Sequence, residues 1–552
     1  MKKQLKYMAV LCGAACLAGC DLDEYNPAGS TEEAVYSTPE GIETGINGCY
    51  TYTRTLWGKE EGHYLLEAGT DLWTGGQDNN KPELTNYSNL SATSPDIESK
   101  LWDNSYQAVN LCNTLLKHFD EALGQTVYRN QREAEVRFLR AFHWWLLTES
   151  FGAIHFTEEP SRGVITVANK TAPEVVYAQI FKDVQFAIDN LDETNTNYGR
   201  VNRAVAEAFM ARICLTRGKY AEAIARAKNV IEDYGFALAD NYADLWGVAN
   251  ERNSEVVWAI MQHSTPKLNG GGTFALKTYL MKYQNFEGMT IDIPNGDPLS
   301  RLMPTHFLLS LFDQKNDARF AASFQSEWYC NNTPPVWTAE DAAPNGNAVA
   351  GENRFEIGDL ALKVVFDRLT ADQKFPKVPY NVYDVDDMYD PVTKVPKSRT
   401  AFFSLKKHMD ETIPAANETN TAKDVFLIRL AEMYLIIAEA DMQLNGPTGT
   451  DAVYYFNELR KHRVAPGGDP DAMEVSSVPD IDFILDERAR EFAGEQLRWL
   501  DLKRTGKLVE RVQAHNPDAK NYIQEYHTVR PIPQAQIDDV TNKDEFKQNP
   551  HY

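Results

Sequence analysis

The most constraining feature of the sequence is a pair of amphipathic segments on either side of a tight turn. The turn is Leu215-Thr216-Arg217-Gly218-Lys219-Tyr220, and apolar side chains recur at helical spacing before and after it. Asn202 precedes the first segment at the position of a helix N-cap. The two apolar stripes consist of Ala206, Phe209, Met210 and Ile213, and of Tyr220, Ala223, Ile224, Ala227 and Ile231. One such hairpin cannot bury its own apolar face, so further helices must stack against it.

The small residues, leucine, glycine and tyrosine around this turn match a tetratricopeptide-like signature. A second pair is predicted near the C-terminus, where an apolar stripe runs from Leu427 to Met442 and Gly446 follows as the C′ residue. Asp451 would cap its partner helix, which carries Val453, Phe456 and Leu459. A third stripe lies on Ala134, Phe138, Ala141, Phe142 and Trp145. The chain is therefore predicted to be mainly α, with three or four tetratricopeptide-like helical pairs as a scaffold.

A region rich in turn signals, between about residues 240 and 400, is predicted to interrupt this scaffold. Pro294-Asn295-Gly296-Asp297-Pro298 and Pro334-Pro335 are typical of loops. The run Glu255–Ile260 has the composition of a short strand, and Trp258 within it is predicted to lie in the core. We expect a loop-rich insertion with short strands, and loops on a rigid frame often carry binding sites.

The charge balance excludes one large class of partners. The 552 residues contain 79 acidic and 55 basic side chains, and their formal net charge is −24. A chain of this charge repels phosphates, and no basic stripe stands out, so nucleic acid is not an expected partner. The charge also argues against a polybasic patch on a membrane. A neutral or weakly cationic ligand is compatible with it.

The N-terminus reads as an export signal followed by a lipid-attachment site. A short basic segment precedes the apolar stretch from Tyr7 to Ala18, which is too short to span a bilayer. It ends in Leu17-Ala18-Gly19-Cys20, which has the pattern of a lipobox. We expect residues 1–19 to be a lipoprotein signal peptide, Cys20 to carry the lipid, residues 20–39 to form a tether and residues 40–552 to form the fold. The protein would then be anchored to a membrane without spanning it.

Four blocks along the chain resemble the SusD/RagB family of outer-membrane lipoproteins from Bacteroidetes. They are Arg137–Trp145, Arg429–Ala440, Glu487–Arg504 and Arg530–Pro533, and the spacing Trp102…Tyr106…Asn110 accompanies them. The resemblance implies a SusD-like fold and a surface protein that captures oligosaccharides without catalysis. It also implies a partner, a SusC-like TonB-dependent barrel of the outer membrane that takes up the glycan.

The third block departs from the family pattern where Gly494 and Gln496 stand, and a glycine inside a helix would weaken local packing. Otherwise the block is predicted to be structural. Asp486 can pair with Arg490, and Glu495 with Arg498, along one helix face.

No motif for catalysis or for a metal stands out. The sequence has no GxSxG elbow, HExxH pair or P-loop, and its histidines lack metal-ligand spacing. Asp384–Asp390 resembles a calcium loop only faintly, because the required glycine and glutamate are missing, and an acidic turn is the better prediction. The widely spaced cysteines predict neither a disulfide framework nor a zinc site. We therefore expect no catalytic residues, no metal and no cofactor.

A glycan site needs aromatic faces for sugar rings and amides or charged groups for hydroxyls. The stretch Thr70–Lys81 combines one tryptophan with a run of polar residues, and the family resemblance implies that this loop contributes to the ligand site. Aromatic residues of the central region would face it. The predicted ligand-binding residues are Asp71, Trp73, Asn79, Asn80, Tyr283, Trp328 and Trp337.

Two other functions stay open from the sequence. A RagB-like member would bind peptides, which favours backbone pairing and apolar side-chain pockets. An anchored glycoside hydrolase would need two carboxylates roughly 5–10 Å apart. The amide-rich loop around Trp73 favours the glycan.

Overall fold

The computed structural model describes residues 32–193, 197–269 and 273–552. The predicted signal peptide, Cys20 and the first part of the predicted tether lie outside the described residues. The fold is mainly α-helical with a few short strands, which confirms the predicted fold class. Within the described residues, no helix combines the length and apolar character needed to cross a bilayer.

The N-terminal half is an array of helices that pack on one another in sequence order. The first helices are α1 (Glu32–Tyr36), α2 (Pro39–Thr53), α3 (Glu60–Leu66) and α4 (Pro82–Asn86), followed by a π-helical turn at Ile97–Asp103. The next are α5 (Asn104–Leu123), α6 (Val127–Phe151), α7 (Pro173–Asn190), α8 (Arg203–Thr216) and α9 (Tyr220–Asp233). The stripe predicted from Ala134 to Trp145 is buried in α6.

The predicted hairpin is confirmed as α8 and α9. Asn202 is the N-cap of α8, and its side chain accepts a hydrogen bond from the Val205 amide at 3.0 Å. Gly218 turns the chain with a positive φ of 68°, a conformation that glycine adopts without strain. α9 then packs against α8 and also against a helix of the C-terminal half, so the hairpin buries its apolar face as expected.

The central region carries most of the strands. They are β1 (Trp73–Gly75), β2 (Val256–Ile260), β3 (Leu302–Pro304), β4 (Phe324–Gln325), β5 (Glu327–Tyr329), β6 (Leu360–Val364), β7 (Asn381–Tyr383), β8 (Ser404–Leu405) and β9 (Val425–Arg429). β1 pairs with β3, β2 with β9 and β4 with β8, while β5, β6 and β7 form one sheet. The predicted strand at Glu255–Ile260 is therefore confirmed, and Trp258 is buried within it.

The helices of the central and C-terminal regions complete the scaffold. They are α10 (Ala275–Thr278), α11 (His306–Ser310), α12 (Ala318–Ser323), α13 (Ala339–Asn345), α14 (Val385–Met388), α15 (Leu430–Asn445), α16 (Thr450–Lys461), α17 (Pro470–Met473), α18 (Ile481–Phe492), α19 (Arg498–Arg504), α20 (Leu508–His515) and α21 (Gln534–Asp539). The second predicted pair is α15 and α16, and Gly446 follows α15 as expected. Two details differ: Leu427 lies in β9, and Gly449, not Asp451, is the N-cap of α16.

A buried ion-pair network joins these elements. Glu491 of α18 accepts hydrogen bonds from Arg429 at 2.8 Å, from Arg463 at 3.0 and 3.1 Å, and from Arg319 at 3.1 Å. Glu255 accepts hydrogen bonds from Arg429 at 2.6 Å and from Arg463 at 2.9 Å. Burial opposes the charged form of Glu491, but the three arginines outweigh it and hold the pKa of this carboxyl well below its ordinary value.

The network overturns both ion pairs predicted within the third sequence block. Arg490 pairs with Glu487 at 2.6 Å, and Asp486 pairs with Arg511 of α20. Glu495 binds Lys407 and Arg429, each at 2.8 Å. Asp486 and Glu495 find partners outside α18 because they are close to guanidinium and ammonium groups from other segments of the chain.

The two departures from the family pattern also have a structural reason. Gly494 lies beyond the end of α18, not inside a helix, and its φ is 79°. A Cβ at this position would lie 2.3 Å from a methyl group of Leu405. Gln496 has a φ of 61°, and its side chain accepts the Gly58 amide at 2.7 Å and donates to the Leu56 carbonyl at 3.2 Å.

We predict that Glu491→Gln lowers the free energy of unfolding by about 3–5 kcal/mol, because it leaves buried arginines without their shared counter-ion. Urea denaturation measures the effect. The matched control is Glu510→Gln, which removes an exposed carboxylate paired with Lys507 at 2.9 Å. The control should cost at most about 1 kcal/mol. Equal losses in the two variants would contradict a structural role for the network.

Candidate functional site

The candidate site is built on a polar loop, residues 76–81, that leaves β1 at the edge of a small sheet. β1 pairs antiparallel with β3, in the register Trp73↔Pro304 and Gly75↔Leu302. The pairing continues into the loop, where the Gly76 amide donates to the Arg301 carbonyl at 2.7 Å and the Asp78 amide donates to the Ser300 carbonyl at 3.0 Å. A Cβ on Gly76 would lie 2.3 Å from the Ser300 carbonyl oxygen, so only glycine allows this close approach.

Buried groups hold the loop from below and leave its amides at the surface. The Tyr64 hydroxyl lies 3.1 Å from Asn79 Oδ1 and 3.0 Å from Asn80 Oδ1, and it accepts the Asn80 amide at 3.4 Å. Asn79 Nδ2 donates to Thr85 Oγ1 at 2.8 Å. Gln77 and Asn80 are exposed, and Asp78 and Asn79 are half-buried. Asn79 is thus mainly a bracing residue, whereas Asn80 faces solvent.

A second polar loop, residues 290–297, is linked to the first by Lys282 and Tyr283. The Lys282 ammonium forms an ion pair with Asp78 of the first loop. The hydroxyl of the next residue, Tyr283, donates to the Gly296 carbonyl at 2.8 Å and accepts the Asp292 amide at 3.0 Å in the second loop. The two loops therefore border one continuous polar surface.

Carboxylate and amide side chains line the second loop. The Asp292 carboxylate accepts hydrogen bonds from Asn295 Nδ2 at 2.8 Å and from Asn331 Nδ2 at 2.6 Å. Gln325 Nε2 donates to Asn295 Oδ1 at 2.7 Å. Such a surface offers both donors and acceptors, which suits a hydroxyl-rich ligand better than a simple ion.

The predicted ligand residue Asp71 has a different role. It is fully buried, and its carboxylate accepts hydrogen bonds from Arg498 at 2.8 and 2.6 Å and from Arg511 at 2.8 Å. Burial would raise the pKa of Asp71, but the two guanidinium groups outweigh it and lower the pKa to about 2. Asp71 therefore ties the base of the loop to α19 and α20, and no oxygen of it faces a ligand.

The predicted aromatic platform is also corrected by the structure. Trp73, Tyr283, Trp328 and Trp337 are all buried, and none presents a free ring face to solvent in this conformation. Trp73 packs against Tyr279 with ring centroids 4.5 Å apart, and Trp337 stacks on Phe375 with centroids 6.0 Å apart. Large rings sit in the core here because burial of their apolar surface stabilises the fold. Of the predicted residues, Asn79 and Asn80 retain accessible polar atoms at the loop.

A buried carboxyl lies beneath the first loop. Burial raises the pKa of Glu67 to about 8, although the Leu497 amide donates to it at 3.1 Å. Thr70, three residues further along the chain, donates its hydroxyl to the Glu67 carbonyl at 2.7 Å. Near neutral pH this group is mostly protonated, so it adds no charge to the floor of the site.

The described residues contain no group of three or more side chains arranged to hold a metal ion. The faint calcium motif folds differently: Asp384 caps α14 by accepting the amides of Asp386 and Asp387. The four cysteines within the described ranges are buried free thiols.

Three residues at the site had no signal in the sequence. Tyr64 lies in α3, Lys282 precedes a short turn and Arg301 precedes β3. Arg301 donates to the Asp78 carbonyl at 2.7 Å and lies 3.4 Å from Glu60. Lys282 and Arg301 reach the loop across more than 200 residues, and Tyr64 reaches it across 15 and 16, so no helical or strand spacing could have found them.

Comparisons with known proteins give the chain a family. The model of the SusD family matches residues 254–552. A second family model, described as starch-binding and associating with the outer membrane, matches residues 43–215. Among curated relatives, the chain is 25% identical over 539 residues to starch-binding protein SusD of Bacteroides thetaiotaomicron, covering 93% of this chain and 87% of that protein. It is 23% identical over 526 residues to SusD-like protein P25 of Formosa agariphila, covering 92% and 90%.

Solved structures share the fold at low sequence identity. A laminarin-binding SusD-like protein matches with a TM-score of 0.69 and 22% identity, over 93% of this chain and all of that chain (100%). Surface glycan-binding protein A from Bacteroides thetaiotaomicron, solved in complex with laminarihexaose, matches with a TM-score of 0.65 and 19% identity, over 93% and 99%.

We predict that Tyr64→Phe loosens the first loop, because it removes the hydroxyl shared by Asn79 and Asn80. Hydrogen exchange of the Asn80 amide should become faster, and unfolding should cost about 1 kcal/mol less free energy. The control is Tyr522→Phe, at a tyrosine whose side chain is exposed. Unchanged exchange across residues 77–81 in the Tyr64 variant would show that other contacts hold the loop.

Proposed function

The chain belongs to the SusD family, and from this premise we propose that it is a glycan-binding protein of the outer membrane. The observation that carries the proposal is the exposed polar surface formed by the two loops, which offers amide and carboxylate groups to a hydroxyl-rich ligand. Named relatives support the ligand class, since they include a starch-binding protein and a laminarin-binding protein.

Selectivity in this proposal comes from positioned polar groups. Asn80 and Gln77 would bind sugar hydroxyls at the first loop, and the side chains around Asp292 would do so at the second. A shallow surface of this kind buries little ligand area, so we expect modest affinity for a short oligosaccharide. The function requires no catalytic step, in keeping with relatives that are named as binding proteins.

The wider role follows from the family resemblance. We propose that the protein is anchored through a lipid on Cys20, is exposed at the cell surface and passes the captured oligosaccharide to a SusC-like TonB-dependent barrel. The lipobox sequence supports the anchor, and the family model associated with the outer membrane supports the location.

We predict that the variant Gln77→Ala/Asn80→Ala binds its oligosaccharide about tenfold more weakly than the wild type, because two exposed hydrogen-bonding groups are lost. Affinity electrophoresis across plant, host and microbial polysaccharides first identifies the glycan, and calorimetry with its oligosaccharide then measures the affinity.

The matched control is Asn347→Ala, an exposed asparagine in the loop after α13. It should bind like the wild type. If the Gln77→Ala/Asn80→Ala variant binds with full affinity, the glycan site does not include these two side chains. Binding of peptides and of no glycan would favour the peptide-binding alternative, and cleavage of a polysaccharide would favour a hydrolase.

We predict that the wild-type protein incorporates a radiolabelled fatty acid in a host that processes lipoproteins and is recovered with the membranes. Cys20→Ser removes the thiol that would take the lipid, so both properties should disappear. The control is Cys214→Ser, at a buried thiol of α8, which should keep the label. Label that survives in Cys20→Ser would contradict lipidation at this residue.

A further inference from the structure

A second concave surface adjoins the candidate site. It is an open cleft of about 700 Å³ that reaches the second polar loop at Pro294. Gln325 belongs to both regions, because it lines the cleft and donates to Asn295 of that loop at 2.7 Å. A volume of this size falls in the range of sites for small ligands or a few sugar rings.

The walls of the cleft come from five separate segments, of which the loop at Pro294 is one. One face of α12 contributes Ala318, Ala321 and Ala322, whose short side chains leave space above the helix. Lys406 follows β8 and borders the end of α12, because its amide donates to the Ser323 carbonyl at 2.8 Å. The remaining walls are the turn that ends at Trp246 and the loop at Ala465 and Pro466.

Lys406 is the unusual group in this cleft. Its side chain is half-buried, and no carboxylate of the described chain lies within ion-pair distance of its ammonium. Lys277, Lys407 and Lys423 are more deeply buried than Lys406 and have partners. Lys277 binds Asp297, Lys407 binds Glu495, and Lys423 donates to three carbonyls.

The carboxylates that share the cleft do not neutralise Lys406. Both oxygens of Asp317 are already engaged by Arg319, at 2.9 and 2.8 Å. Glu411 is exposed on the same segment as Lys406 and is not paired with it. Burial without a counter-charge lowers the pKa of Lys406. An anionic group from outside the chain would stabilise such a cation, because a charge-assisted hydrogen bond replaces the solvation that burial removes.

We infer that this cleft is a subsite for an acidic sugar, with Lys406 binding the anionic group. The inference rests on the proposed glycan-binding function and narrows its substrate class. The anionic group is either the carboxylate of a uronic acid or a sulfate ester, since an ammonium group binds both. Asn241, Gln314 and Gln325 line the same cleft and supply amides for the hydroxyls of the ring. A glycan chain would run from the cleft past Pro294 to the two polar loops.

The negative net charge of the protein does not oppose this assignment at close range. At about 0.15 M salt, charges more than about 8 Å from the ligand are largely screened. Measurements should therefore be made at this ionic strength, where the local field of Lys406 decides binding.

The test measures the affinity of the mature full-length protein for three probes: an oligogalacturonate, a carrageenan oligosaccharide carrying sulfate, and an uncharged laminarin oligosaccharide. We expect Lys406→Gln to lose about tenfold in affinity for the acidic probe that the wild type prefers. Affinity for the uncharged probe should change less than about twofold, and Lys406→Arg should retain most of the acidic binding because it keeps the charge. The choice between the two acidic probes identifies the anionic group.

The matched control is Lys182→Gln, which removes the same charge from an exposed position on α7. It should leave every affinity unchanged. Circular dichroism and thermal melting confirm that each variant is folded.

The outcomes separate the inference from the function on which it rests. If Lys406→Gln binds the acidic probe as the wild type does, or if the wild type binds only uncharged glycans, the subsite is wrong while glycan binding stands. If the wild type binds no glycan of any class, both the proposed function and the subsite fail.

Discussion

The rest of the structure depends on a carboxylate in the core. Glu491 is fully buried and is shared by three arginines that come from α12, from the end of β9 and from the chain after α16. Removing these charges from water is costly, and the cost is offset only when every partner is in place. The network therefore ties helices and strands to one arrangement. The same arrangement sets Gln496 beside α3, where its side chain binds the backbone at Leu56 and Gly58.

A second buried carboxylate, Asp71, connects this part of the core to the candidate site. Asp71, two residues before β1, forms ion pairs with Arg498 and Arg511, which lie on helices directly after the Glu491 region. From there β1 and β3 carry the loop to the surface, and the Tyr64 hydroxyl fixes its amides from below. The exposed polar groups are thus presented by a rigid base, which limits the ordering cost when a ligand binds. The ring of Trp73, which was predicted to bind a sugar, packs instead against Tyr279 in the core.

The two surfaces of the proposed binding region differ in charge. The loops display amides and a carboxylate whose charges are largely matched, as at Asp78 and Lys282. The cleft beside them holds an ammonium group without a partner within the described chain. In an acidic protein such a local cation stands out, because carboxylates are plentiful and Lys277 and Lys407, which are more deeply buried, each have one as a partner. In this proposal one extended ligand would bind the loops through its hydroxyl groups and the cleft through its anionic group.

The sequence by itself determined the helical class, the α8–α9 hairpin, the strand at Trp258 and the family, because these depend on local periodicity and on motifs in chain order. It also singled out the stretch Thr70–Lys81 by its composition. It misassigned Asp71 and the rings, and it paired Asp486 and Glu495 with the wrong arginines. Only the tertiary structure decided these points, since burial and ion pairing depend on groups that approach from distant parts of the chain. Asp71 and Arg498 are separated by 427 residues and yet lie 2.6 Å apart, and no spacing in a sequence encodes such a contact.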